Sequence, residues 1–279
     1  MGDTELPITA GGAIFRRLHQ LGVGRVFVNS GTDFPPIVEG LAEAEHLGLP
    51  VPDIVLAPHE HVAVSMAHGH FFATGTCAAV ILHTNVGLAN GAIGAINAAT
   101  DHVPMILMSG RTPTLESGRF GARTVPIGWG QEMRDQAALV REACKWEYEV
   151  RFPEQIPELL DRAHAIANST PKGPVYLALP REVLCEPCPQ EALAAQRSMA
   201  PATVVAPPDD IRRAAIVLSR AERPLIVAQR GAGSQAGFAA LAEIADRWSI
   251  PVCQWWACLL YTSPSPRDLN PNLVFRRVL

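Results

Sequence analysis

No apolar run in the 279 residues reaches membrane-spanning length, and no cluster of Lys and Arg offers a phosphate-backbone footprint. Neither a membrane nor a nucleic acid is therefore expected as a partner. The opening residues, Met1-Gly-Asp-Thr-Glu-Leu-Pro7, lack the basic and then apolar segments of a secretory signal, so the expected compartment is the cytoplasm. Six cysteines are scattered along the chain, which argues against a disulfide framework. Cys185-Glu-Pro-Cys188 is a lone motif in a Pro-rich stretch and favours a structural reading over a redox one. No tandem repeat of short period occurs.

What the chain does have is the composition of a globular protein. Hydrophobic residues make up 48% and charged residues 18%, and 23 basic against 27 acidic residues leave a net charge of −4. The final segment stands apart. The eleven residues Cys258-Leu-Leu-Tyr-Thr-Ser-Pro-Ser-Pro-Arg-Asp268 match the translation of a transposon-based sequencing-library adaptor. The natural sequence is thus expected to stop being represented near Ala257, with residues 258–279 a false tail.

Short apolar runs alternate with amphipathic segments. Thr9 is a candidate N-cap, with Ile14, Leu18 and Leu21 on one helical face. Strands are expected at 25–28, 53–56, 77–83, 104–109 and 174–179, with helices near 37–44, 61–74, 88–99 and 153–168. The stretch 111–134 reads as irregular. This alternation implies parallel βαβ units, hence an α/β fold with a doubly wound parallel sheet, over a first domain at 1–185. A shift to Pro, Ala and Gln marks a linker at 186–208. A second, Rossmann-like α/β domain begins at 209 and runs to 257 as a partial unit, with helices near 211–219 and 238–248 and strands at 225–228 and 251–254.

Pro58-His-Glu-His61 falls where a strand gives way to a helix, the place where open parallel sheets gather functional groups. Taken alone, Glu60 reads as a first-turn carboxylate that complements the positive helix end. His59, His61, His68 and His70 also admit a metal-ligand reading. No Cys or carboxylate cluster with zinc spacing accompanies them, so no metal ligand is expected in this chain. Gly231-Ala-Gly-Ser-Gln-Ala236 loosely fits a dinucleotide fingerprint, yet no acidic residue follows the next strand.

The run Ala57-Pro-His-Glu-His-Val-Ala-Val-Ser-Met-Ala-His-Gly69 is followed by Ala73-Thr-Gly75, Leu82-His-Thr-Asn-Val-Gly-Leu-Ala-Asn90 and Asp101-His-Val-Pro-Met-Ile-Leu-Met-Ser-Gly110. Together these resemble thiamine-diphosphate-dependent enzymes, and within them the pyrimidine-binding domain of the acetolactate synthase group of 2-oxo acid decarboxylases and carboligases. Further similarity lies in Gly173–Val183, Arg223–Ala228, Gln131-Glu132 and Lys145-Trp146, and it covers nearly all of the first 257 residues.

The resemblance implies a pyrimidine-domain fold, thiamine diphosphate as cofactor, and Glu60 as the catalytic carboxylate. Its hydrogen bond to the N1′ nitrogen of the cofactor's aminopyrimidine would favour the protonated ring. It places Gly31, Asn85, Gly87 and Asn90 along the cofactor, where small residues allow close approach and an amide can bond ring nitrogens. A helix-start polar role for Asn90 stays open beside this. His61 and Gln131 are the substrate-side candidates. The chain departs from the group by carrying Asn29-Ser-Gly-Thr-Asp33 where Val-Pro-Gly-Gly is usual, and His83-Thr-Asn-Val-Gly87 where Thr-Ser-Gly-Pro-Gly is common; His61 replaces a common Gln.

The resemblance further implies a small 2-oxo acid substrate, and a homodimer or homotetramer whose sites are shared between subunits. Mg2+ would be held by a Gly-Asp-Gly segment and an Asn pair, neither of which this sequence contains. FAD in the central domain is open but has no support in these residues. Two functional expectations follow: a truncated copy of a complete decarboxylase or carboligase, or a natural pyrimidine-domain subunit whose partner chain carries the magnesium domain.

Overall fold

The computed structural model describes residues 8–123, 131–194, 199–228 and 234–254. It divides into two units between Val204 and Val205. The first opens with α1 (Ala10–Gln20), capped by Thr9, whose Oγ1 accepts the Gly12 N–H at 3.2 Å. The same hydroxyl donates to Glu43 Oε2 at 2.8 Å, which ties the start of α1 to the next helix. Ile14 and Leu18 form the buried face, as their spacing predicts.

There follow β1 (Arg25–Val28), α2 (Pro35–His46), β2 (Asp53–Leu56), α3 (Glu60–Thr74), β3 (Ala78–Leu82), α4 (Thr84–Thr100) and β4 (Met105–Arg111). After an irregular stretch come β5 (Glu147–Glu149), α5 (Ile156–Asn168), β6 (Pro174–Pro180), α6 (Arg181–Leu184) and α7 (Gln190–Ala194). The six strands form one parallel sheet in the order β2-β1-β3-β4-β6-β5.

Side chains alternate across this sheet and build a core on each face. Ala79 and Ile81 of β3 point into the layer made by Ile14, Phe15 and Leu18 of α1 and Leu160 of α5. Ala78, Val80 and Leu82 point the other way, onto Val64 and Ala67 of α3 and Leu88 and Ala95 of α4. Burial on both faces explains why these strands read as continuous apolar runs. The doubly wound parallel sheet expected from the sequence is the fold observed.

Three local features differ from expectation. α4 starts at Thr84, four residues before the expected Leu88. β5 is a three-residue, half-buried Glu-Tyr-Glu edge strand with no apolar alternation to signal it. Finally, the start of the stretch expected as a linker packs on the first unit, because Cys188 and Leu193 join the core. There the Cys188 N–H donates to Ile8 O at 2.7 Å and the Ala10 N–H to Glu186 O at 2.8 Å. Burial pushes the Cys188 thiol up to about 11, which keeps it protonated.

The second unit contains α8 (Pro208–Arg220), β7 (Ile226–Ala228), α9 (Gln235–Trp248) and β8 (Val252–Gln254), with β7 and β8 parallel. Ser234 caps α9 by accepting the Gly237 N–H at 3.1 Å. Gly231-Ala232-Gly233 of the glycine turn, Ala257 and the adaptor-like segment lie outside the described residues. Among the described residues, no helix is long and apolar enough to cross a membrane.

Candidate functional site

The chain leaves β1 for α2 on one face of the sheet and leaves the adjacent β3 for α4 on the other. Loops that diverge from neighbouring strands open a crevice at their carboxyl ends, where parallel sheets place ligands. Glu60 enters it from the end of β2. His59, in extended conformation, caps α3 by accepting the His61 N–H at 3.2 Å, so Glu60 becomes the first helical residue. Its side chain remains 13% exposed.

Two residues of α4 frame that carboxylate. A Cβ added to Gly87 would stand 3.3 Å from both Glu60 Cγ and Oε1, so the missing side chain leaves the space beside the carboxylate open. Asn90 Nδ2 donates to Glu60 Oε2 at 3.1 Å. Asn90 lies in the second turn of α4, and its bond to Glu60 sets aside the helix-start role. Asn85 is buried in the first turn. A carboxylate with one oxygen engaged by an amide and the other beside a side-chain-free flank offers an acceptor for a protonated ring nitrogen.

Gly31, in the loop after β1, lies under the His83 ring: a Cβ there would stand 2.2 Å from it. His83 Nδ1 meets Asp33 Oδ1 at 2.5 Å. That hydrogen bond holds the imidazole above its ordinary value, with partial burial opposing and the charges of Asp33 and Glu60 adding to the rise. The Asp33–His83 pair was missed in the sequence. Its available signal was His83 itself, a histidine at the end of an apolar strand where the resembling enzymes carry Thr.

The substrate-side candidates are placed apart. His61 lies against α4, its Nδ1 buried without a hydrogen-bond partner and 3.6 Å from where a Gly94 Cβ would stand. Gln131 lines a small crevice with Asp33, Thr84 and Arg181, and its backbone carbonyl accepts from Thr112 Oγ1 at 3.0 Å. Its neighbour Glu132 pairs with Arg111, which also binds Glu149 at 2.5 Å. Lys145 donates to Ile166 O at 2.5 Å and Ser169 O at 2.7 Å, capping α5. The remaining histidines point elsewhere, His68 to Asp101 at 3.2 Å and His70 to Thr76 at 3.0 Å. Among the described residues, no group of three or more His, Cys, Asp or Glu could hold a metal ion.

Known proteins resemble this chain in sequence and in fold. The family model described as thiamine pyrophosphate enzyme, N-terminal TPP binding domain, matches residues 8–139. A probable 2-ketoarginine decarboxylase of Pseudomonas aeruginosa is 31% identical over 268 residues, covering 95% of this chain and 43% of that protein. A probable acetolactate synthase large subunit of Methanocaldococcus jannaschii is 27% identical over 246 residues, covering 86% and 39%. The chain thus spans less than half the length of these relatives. Among solved structures, the thiamine diphosphate-dependent 4-hydroxybenzoylformate decarboxylase of Rhodococcus jostii RHA1 shares the fold, with a TM-score of 0.70, 24% identity, and coverage of 89% of this chain and 44% of that one. By its family model and its relatives, the chain belongs to the thiamine-diphosphate-dependent enzymes, acetolactate synthase-like, and carries their N-terminal TPP-binding domain.

Proposed function

We propose that this chain supplies the pyrimidine side of the active site of a thiamine-diphosphate- and Mg2+-dependent enzyme that decarboxylates a 2-oxo acid or joins the resulting carbon to a second carbonyl. The observation that carries the reading is Glu60, held at the start of α3 with Asn90 on one carboxylate oxygen and the open flank of Gly87 beside the other. One relative is named for decarboxylating a 2-keto acid, which supports a 2-oxo acid as the substrate class.

Bound thiamine diphosphate supplies a carbon nucleophile and an electron sink for loss of carbon dioxide. The part of Glu60 is to accept the hydrogen bond of the pyrimidine N1′–H and hold the proton there. Asn90 occupies Oε2 and leaves Oε1 for the ring. Gly87 would admit the ring edge and Asn85 would bond its nitrogens, while Gly31 leaves room for the His83 ring. Gln131, at the rim of the crevice, and His61 are assigned to the substrate side. The diphosphate and Mg2+ are assigned to another part of the assembled enzyme.

A dimer or tetramer is the proposed assembly. α3 and α4 leave Val62, Met66, Val86, Ile93 and Ile96 exposed, an apolar strip that a second subunit would cover. The test is thiamine-diphosphate-dependent release of carbon dioxide from a panel of 2-oxo acids by the intact protein and its Glu60→Gln variant. The variant is expected to lose about 100-fold or more in kcat while keeping its fold. Undiminished turnover in Glu60→Gln overturns the reading.

A further inference from the structure

The Asp33 carboxylate serves two groups on the far side of the crevice. Oδ1 engages His83 Nδ1 at 2.5 Å, and Oδ2 accepts the Thr84 backbone N–H at 3.3 Å. Thr84 is a β-branched residue at φ 36°, a costly conformation that this second bond helps to hold. The packing has no slack: a Cβ on Gly110 would fall 1.6 Å from Asp33 Oδ2. Asp33 is itself 5% exposed, so both of its oxygens find these partners inside the protein.

We propose that Asp33 is a positioning residue that fixes the His83 imidazole with one proton on Nδ1, leaving Nε2 to take up and give back a second proton beside Glu60. With Nδ1 engaged, only Nε2 is left to exchange with a ligand, so the carboxylate sets the tautomer as well as the ring plane. The groups facing His83 are Asp33 from the loop after β1 and Glu60 from α3, with His59 3.8 Å from Glu60 and Arg181 of α6 lining the crevice beside Asp33. The charges of these two carboxylates favour the charged ring. Where the proton would be used rests on the proposed role of Glu60; the pair itself does not.

The competing role for Asp33 is that of a carboxylate stabilising the amino terminus of α4. Nitrogen-15 NMR of the intact protein, labelled at its nine histidines, separates the two without cofactor. His83, assigned by its loss in His83→Gln, is expected to keep its proton on Nδ1 when neutral and to titrate above the exposed histidines. Asp33→Asn is expected to lower that midpoint and leave the other histidines in place. A neutral His83 protonated on Nε2, or a midpoint unmoved by Asp33→Asn, overturns the proposal. Should Asp33→Asn fail to fold, the wild-type tautomer and midpoint decide alone. The Glu60→Gln turnover experiment can fail without touching this result.

Discussion

The side-chain amide of Asn90 donates to Oε2 of Glu60 at 3.1 Å, joining the second turn of α4 to the first turn of α3. One carboxylate oxygen is thereby spent within the protein. The other faces the flank of Gly87, and three predictions start from this region or from the packing behind it.

Gly87→Ala would bring a methyl group to 3.3 Å from Glu60 Oε1, tight enough that the carboxylate must move by a few tenths of an ångström. The thiamine diphosphate concentration for half-maximal activity of the intact protein is expected to rise roughly 10-fold, with thermal unfolding little changed. A cofactor titration checks this. Unchanged dependence on the cofactor would put the pyrimidine ring somewhere other than against Gly87.

Arg17 of α1 meets Asp161 of α5 through Nε–Oδ1 and Nη2–Oδ2, both at 2.7 Å, beneath a layer that leaves the two side chains 5% and 1% exposed. Arg17→Met abandons a buried carboxylate and is expected to cost about 3–5 kcal/mol in urea unfolding. The double change Arg17→Met with Asp161→Leu should recover most of that loss, since it removes the stranded charge. A double variant no more stable than the single one would mean that the two residues are not coupled.

The hydrogen bond to Asp33 raises His83 above the ordinary imidazole value of 6.5, so the folded chain binds this proton more tightly than the unfolded one. The contribution to stability is complete below the ordinary value and is lost as pH rises through the raised one. Thermal unfolding of the intact protein and of His83→Gln should therefore differ more at about pH 5.5 than at about pH 9. A gap independent of pH would show that His83 contributes packing alone.

Much of the fold was legible because burial on both faces of a parallel sheet writes itself as apolar runs such as 78–82, and because Thr9 and the Ile14–Leu18 spacing mark a capped amphipathic helix. Glu60, Gly87 and Asn90 were singled out from a resemblance, and the structure brings those three together. The Asp33–His83 pair is a tertiary contact between loops 50 residues apart, and no local pattern encodes it. β5 escaped because an edge strand of three residues need not bury alternate side chains. The start of α4 was placed late because Thr84-Asn-Val-Gly87 has the composition of a turn, and its first residue does adopt a positive φ.

β1 and β3 are aligned through Val26↔Ala79, Phe27↔Val80 and Val28↔Ile81. A slip of one residue in that pairing would exchange the two faces of β3 and carry His83 away from the loop that bears Asp33. Since β3 reaches its place only after the chain has passed through β2 and α3, the proton-holding pair can close only once this crossover has been completed in register. The titration of His83 thus doubles as a certificate of assembly: a refolding sample would recover it when the centre of the sheet is correctly threaded, however early its helices have formed.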